Sequence, residues 1–134
     1  MNVVAQVFAG IGALVHLLAW VWESFLFRRP SIHKGLFKVP TEDVPAVLLW
    51  SFNVGFYNLL LGSGTVIGLI ALNTGDEVVG RTLVLYTCGF MAVAGVVLLI
   101  SDRLGLSRPK GSGLAGFLSQ SVPPVVVFVA TAVS

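Results

Sequence analysis

Residues 3–27, VVAQVFAGIGALVHLLAWVWESFLF, decide how this chain is read. The stretch carries one charged residue, Glu23, and one histidine, His16. A helix needs about 20 apolar residues to cross the hydrocarbon core of a bilayer, so the segment predicts a spanning helix. It lacks a basic leader and runs longer than the apolar part of a secretory signal, so a retained span is expected rather than a cleaved one. Three more apolar runs follow, over residues 45–72, 78–101 and 113–133. Alternating strands of about 10 residues are absent, and backbone groups in lipid must satisfy one another, which leaves helices.

The predicted fold is therefore all-α. It is one domain over residues 1–134, a bundle of four transmembrane helices. Composition agrees. Of the 134 residues, 56% are hydrophobic and 10% charged, with a mean hydropathy of +0.94, whereas soluble domains carry about 25% charged residues. A soluble chain this short has too little interior to hide so much apolar surface. The net charge of +2 and the absence of a recognition motif argue against a nucleic-acid partner.

The connections are punctuated by turn formers. Pro30, Gly35 and Pro40 interrupt residues 28–44, Gly75 and Asp76 mark a tight turn, and Gly105, Pro109 and Gly111 break residues 102–112. Thr41, followed by Glu42 and Asp43, reads as an N-cap with an acidic first turn. Arg28, Arg29, Lys34 and Lys38 lie in the first connection, and Arg103, Arg108 and Lys110 in the third; only Arg81 lies elsewhere. By the positive-inside rule these two connections are cytoplasmic, and both termini lie on the non-cytoplasmic side of a multi-pass cell-membrane protein. Basic residues at that surface also favour anionic membrane lipids as partners. Cys88 is the only cysteine, so an intramolecular disulfide is excluded and an apolar packing role is expected.

Function is sought among polar residues that lipid disfavours. His16 and Glu23 are seven residues apart and share a helical face with Trp20, which Gln6, Ala9 and Ala13 continue. In the second segment Asn53 and Tyr57 share one face. Ser51, Gly55, Asn58, Gly62 and Thr65 form another, a small-residue stripe suited to close helix contact, across which Asn58 is expected to hydrogen-bond. In the fourth, Pro123 and Pro124 remove two N–H donors and predict a kink with a polar spot around Ser119 and Gln120. Counting from the helix ends puts Glu23, Asn53 and Gln120 at overlapping depth, with His16, Tyr57 and Asn58 just above. One imidazole and one carboxylate are too few for a metal site, and His33 lies in the connection; neither a metal nor a cofactor is expected.

The run His16 … Glu23-Ser24-Phe25-Leu26-Phe27 … Pro30, then Phe37, then Asn53-Val54-Gly55-Phe56-Tyr57-Asn58, with Gln120 and Pro123 in the last segment, resembles a small bacterial integral-membrane family, domain of unknown function 1304. The resemblance spans nearly the whole chain. It implies a four-helix bundle in the bacterial inner membrane and implicates His16, Glu23, Asn53, Gly55, Tyr57, Asn58 and Gln120. Val54 stands where that family usually has Gln. The resemblance names no reaction.

Three functions fit these residues. In the first, His16 and Glu23 are catalytic and move protons on a lipophilic small molecule or lipid held by Trp20, Asn53, Tyr57, Asn58 and Gln120; carboxyl and imidazole groups are common general acids and bases. In the second, the chain is a non-catalytic accessory or assembly subunit of a larger membrane complex, docking through glycine-rich faces. In the third, it is a small transporter that works as a homo-oligomer, with a dimer as the minimum.

Overall fold

The computed structural model describes residues 1–133. Four long helices carry the fold: α1 (Val3–Ser24), α2 (Val44–Thr74), α3 (Glu77–Arg103) and α4 (Gly113–Ala132). Each begins and ends for a local reason. Asn2 caps α1, its Oδ1 accepting from the Ala5 N–H at 2.9 Å, while its Nδ2 donates to the Ala130 carbonyl at 2.7 Å and ties the chain's two ends together. α1 stops at Ser24, where the N–H groups of Phe25 and Leu26 both turn back to the Val21 carbonyl. That is three residues short of the apolar run, and Phe25, Leu26 and Phe27 belong to the connection. Thr41 is not the expected cap: Thr41–Asp43 form a single 3₁₀ turn leading into α2, and the preceding Pro40 makes no side-chain capping bond. α2 ends at Gly75, whose φ of 109° suits a residue without Cβ, and Asp76 then caps α3 by accepting from the Val79 N–H. α4 is helical through Pro123 and Pro124, both buried.

The helices alternate in direction and form a ring. α1 packs on α2 and α4, α3 packs on α2 and α4, and the diagonal α1–α3 contact is slight. Small residues set the spacing. A Cβ on Gly80 of α3 would fall on the Leu72 backbone of α2, and one on Gly55 of α2 would strike the Ser24 hydroxyl of α1. Between α2 and α3 a buried hydroxyl pair adds polar glue: Thr65 Oγ1 donates to Thr87 Oγ1 at 2.8 Å, and Thr87 passes its own proton to the Leu83 carbonyl at 2.8 Å. Towards the chain termini the core is Ala5, Ala9, Val84, Cys88, Val127 and Ala130. Cys88 is a packing residue there.

The outside of the bundle is as apolar as the inside. Leu49, Leu60, Tyr86 and Val93 are 63–74% exposed, and only 22–33% of each span is buried. All four helices are long and apolar enough to cross a membrane. Water would penalise such a surface; hydrocarbon does not.

The two basic connections meet at one end, where Lys34, Lys38, Pro40, Thr41 and Glu42 of the first and Pro109 of the third line a shared groove of about 360 Å³. Neither is loose. In the first, Ser31–Leu36 form a π-helical turn that buries His33, whose Nδ1 lies 2.9 Å from the Val39 carbonyl, with the ring against Phe27. In the third, buried Asp102 accepts from the Ser107 hydroxyl and from the N–H groups of Gly111 (2.7 Å) and Gly113 (3.3 Å).

A candidate site in the groove between α1 and α2

The end of α1 is stitched to the second and third turns of α2. Ser24 donates to the Phe52 carbonyl at 3.1 Å, and Ser51 donates to the Glu23 carbonyl at 2.7 Å. Gly55 faces both Glu23 and Ser24, so the helices touch there backbone to backbone. This register places the tip of α1 level with residues 51–55. It leaves Val44 to Trp50, about 10 Å of helix at 1.5 Å per residue, standing beyond that tip. The first connection folds into the space alongside.

The result is a groove of about 260 Å³ lined by Glu23, Phe27, Phe37, Val39, Val47, Trp50, Ser51 and Val54. Its origin is local. Phe27 is held at 6% exposure by His33 and by Phe37, whose ring centre lies 5.5 Å away, so one wall is an anchored aromatic pair. Trp50, 70% exposed, and Val47 and Val54 come from α2. Among the described residues, Glu23 is the only charged one that lines it. Its Oε2 accepts from Asn58 Nδ2 at 2.7 Å, while Oε1 has no hydrogen-bond partner among the described residues. Arg28 and Arg29 make no ion pair with it, because the chain turns away after Ser24 and both are exposed. A carboxyl group can therefore meet a guest while one oxygen keeps it oriented.

The other residues singled out in the sequence are dispersed. His16 is buried, at 2% exposure, with Nδ1 2.9 Å from the Gly12 carbonyl of its own helix. A carbonyl only accepts, so Nδ1 carries a proton and in the neutral ring Nε2 presents its lone pair. His16 and Glu23 share a face, but seven residues separate them by about 10 Å along the axis, and they make no contact. Trp20 belongs to a cluster with Phe25 (5.5 Å) and Phe56 (6.0 Å), and its indole Nε1 is buried without a partner. Asn53 and Tyr57 point outward and are exposed. Gln120 lies against α3, with its Cβ beside Gly95. The expected convergence of Glu23, Asn53 and Gln120 in the bundle interior is thus not what the helices form. Asn58, one helical turn and a half beyond Asn53, is the amide that reaches Glu23. Gln6 pairs instead with Asn73, 2.9 Å away near the opposite end.

A ring of four antiparallel helices with an apolar exterior, small-residue contacts and one carboxylate in a lateral groove defines the class: a helical bundle suited to a membrane, with its polar site on the side rather than along the axis. Within that class the chain belongs to the family described as protein of unknown function (DUF1304), whose model matches residues 10–132. Comparison with curated proteins and with solved structures finds no match. The family membership agrees with the resemblance seen in the His16–Glu23 and Asn53–Asn58 motifs.

Proposed function

We propose that this is a multi-pass membrane protein that binds one amphiphilic molecule in the α1–α2 groove, with Glu23 receiving the polar head. Both termini lie on the non-cytoplasmic side, and the groove opens at the cytoplasmic interface beside the basic connections. One observation carries the reading: Glu23 lines an apolar groove and is hydrogen-bonded through one oxygen only. The position suits an amphiphile. α1 is 22 residues long, about 33 Å, close to the hydrocarbon thickness, so Glu23 sits at the boundary where heads meet tails. The head reaches the carboxyl group, and the tail leaves sideways past Trp50 and Val54 into lipid. Any proton exchanged with the guest passes through Glu23, the only ionisable group in the groove among the described residues; His16 has a structural place in α1.

Photolabelling tests this. The full chain in lipid nanodiscs is irradiated with an uncharged diazirine-bearing long-chain alcohol, and the adducts are mapped. Adducts concentrated on Phe37, Val47, Trp50 and Val54, and depleted in Val54→Trp, are expected. Equal labelling of exposed residues around the whole bundle, such as Leu60, Tyr86 and Phe90, would overturn the proposal.

A further inference from the structure

The chemistry of the groove walls points to a lipophilic organic cation, a quaternary ammonium or protonated amine, as its guest. This names the ligand class of the site proposed above and rests on that reading.

Charge balance favours a cation. A carboxylate facing apolar walls is costly unless a proton or a cation compensates it. Among the described residues, none that lines the groove is basic. Lys34 and Lys38 line the neighbouring 360 Å³ groove with Glu42, and Lys38 Nζ donates to the Gly35 carbonyl at 2.7 Å. Asn58 supplies a neutral donor to one oxygen and no positive charge. An anionic guest would be repelled; a neutral one leaves the compensation to a bound proton, whereas a cation compensates the carboxylate directly.

The walls favour a cation independently of that carboxylate. Three aromatic residues, Phe27, Phe37 and Trp50, line the same groove. Phe27 is buried behind Phe37, so the aromatic surface open to a guest comes from Phe37 of the connection and Trp50 of α2. Aromatic faces attract cations, and tryptophan most strongly; such surroundings recognise quaternary ammonium groups even where hydrogen bonds are impossible. Ser51 adds little for a trimethylammonium, since its hydroxyl is committed to the Glu23 carbonyl. The size agrees. About 260 Å³ falls below the roughly 300–1,000 Å³ of sites that enclose whole drug-sized molecules. It suits a head group whose tail stays outside.

The test uses the full chain in dodecyl maltoside micelles and three probes: benzyltrimethylammonium, its uncharged isostere neopentylbenzene, and benzenesulfonate. Tryptophan fluorescence, with the Trp50→Leu protein as its blank, and calorimetric titration report binding in the other proteins, and calorimetry alone reports it in Trp50→Leu. The cation should bind at least tenfold tighter than the isostere. Glu23→Gln, which keeps an oxygen for Asn58, should remove most of that preference. Trp50→Leu, which leaves the Glu23–Asn58 bond untouched, should weaken the cation several-fold and the isostere less. Equal affinity for cation and isostere, unchanged by Glu23→Gln, would overturn the cation assignment and leave the amphiphile groove standing. Preference for the sulfonate would overturn it too. Failure of all three probes would also overturn the cation assignment, and uniform photolabelling by the diazirine alcohol would overturn the groove with it.

Discussion

Substitution of Gly55 by alanine tests the contact on which the groove depends. A Cβ there meets the Ser24 hydroxyl and comes within 3.2 Å of both the Glu23 Cβ and the Ser24 backbone nitrogen. The hydroxyl can rotate away; the other two atoms belong to the helix itself, so α1 must retreat. Retreat strains three hydrogen bonds between the helices, Ser24 to Phe52, Ser51 to Glu23 and Asn58 to Glu23. At about 0.6 kcal/mol each, typical of membrane bundles, they total about 2 kcal/mol. Overpacking adds about 1–3 kcal/mol. Against these stands a gain of about 1 kcal/mol in helix propensity, so Gly55→Ala should cost about 2–4 kcal/mol, read as unfolding in dodecyl maltoside titrated with dodecyl sulfate. Ser24→Ala already lacks the bond to Phe52, so in that background Gly55→Ala should cost about 0.6 kcal/mol less. Gly10→Ala is the control, since nothing lies within 4 Å of its Cβ position, and it should be neutral or mildly stabilising. Wild-type stability of Gly55→Ala, or equal damage from Gly10→Ala, would refute the helix register and the groove with it.

Other contacts give three further expected outcomes. Gly80→Ala places a Cβ on the Leu72 backbone, which cannot rotate aside, so it should prevent stable expression or lower the melting temperature more than any other glycine-to-alanine change in α3, as a thermal scan would reveal. Asp102→Ala deprives Ser107, Gly111 and Gly113 of their acceptor; about 3 kcal/mol of local stability should vanish, seen as fast hydrogen exchange at Gly111 and Gly113. Thr65→Val and Thr87→Val each break one bond between α2 and α3, so each should cost under about 1 kcal/mol and the double variant little more than either, by the same unfolding titration.

The four helices are legible because each meets or exceeds the length that a bilayer demands, and their connections carry glycine and proline where the chain turns. The polar site is legible only in part. Glu23 stands out as a carboxylate in an apolar run, and Asn58 is marked by its place on the stripe with Ser51, Gly55 and Gly62. The rotation of each helix is harder to read, since a helix that is apolar all round has no pattern separating lipid from interior. That is why the pattern does not reveal that Asn53 points outward and that Gln120 lies against α3 rather than beside Glu23. The first connection is harder still. His33 looks like a loop residue, yet it anchors Phe27 and shapes a wall of the groove, a role set by a π-helical turn that has no sequence period. Asp102 is similar: its three donors lie 5, 9 and 11 residues on, gathered by the chain's path.

The groove beside Glu23 is best tested by an experimental density map of the full chain in a lipid nanodisc. The expected map shows elongated non-protein density between Phe37 and Trp50, ending against the Glu23 carboxyl group, with Asn58 on its far oxygen. A groove closed by protein, with Glu23 turned outward to Arg28 or Arg29 and annular lipid alike on every face of the bundle, would contradict the account.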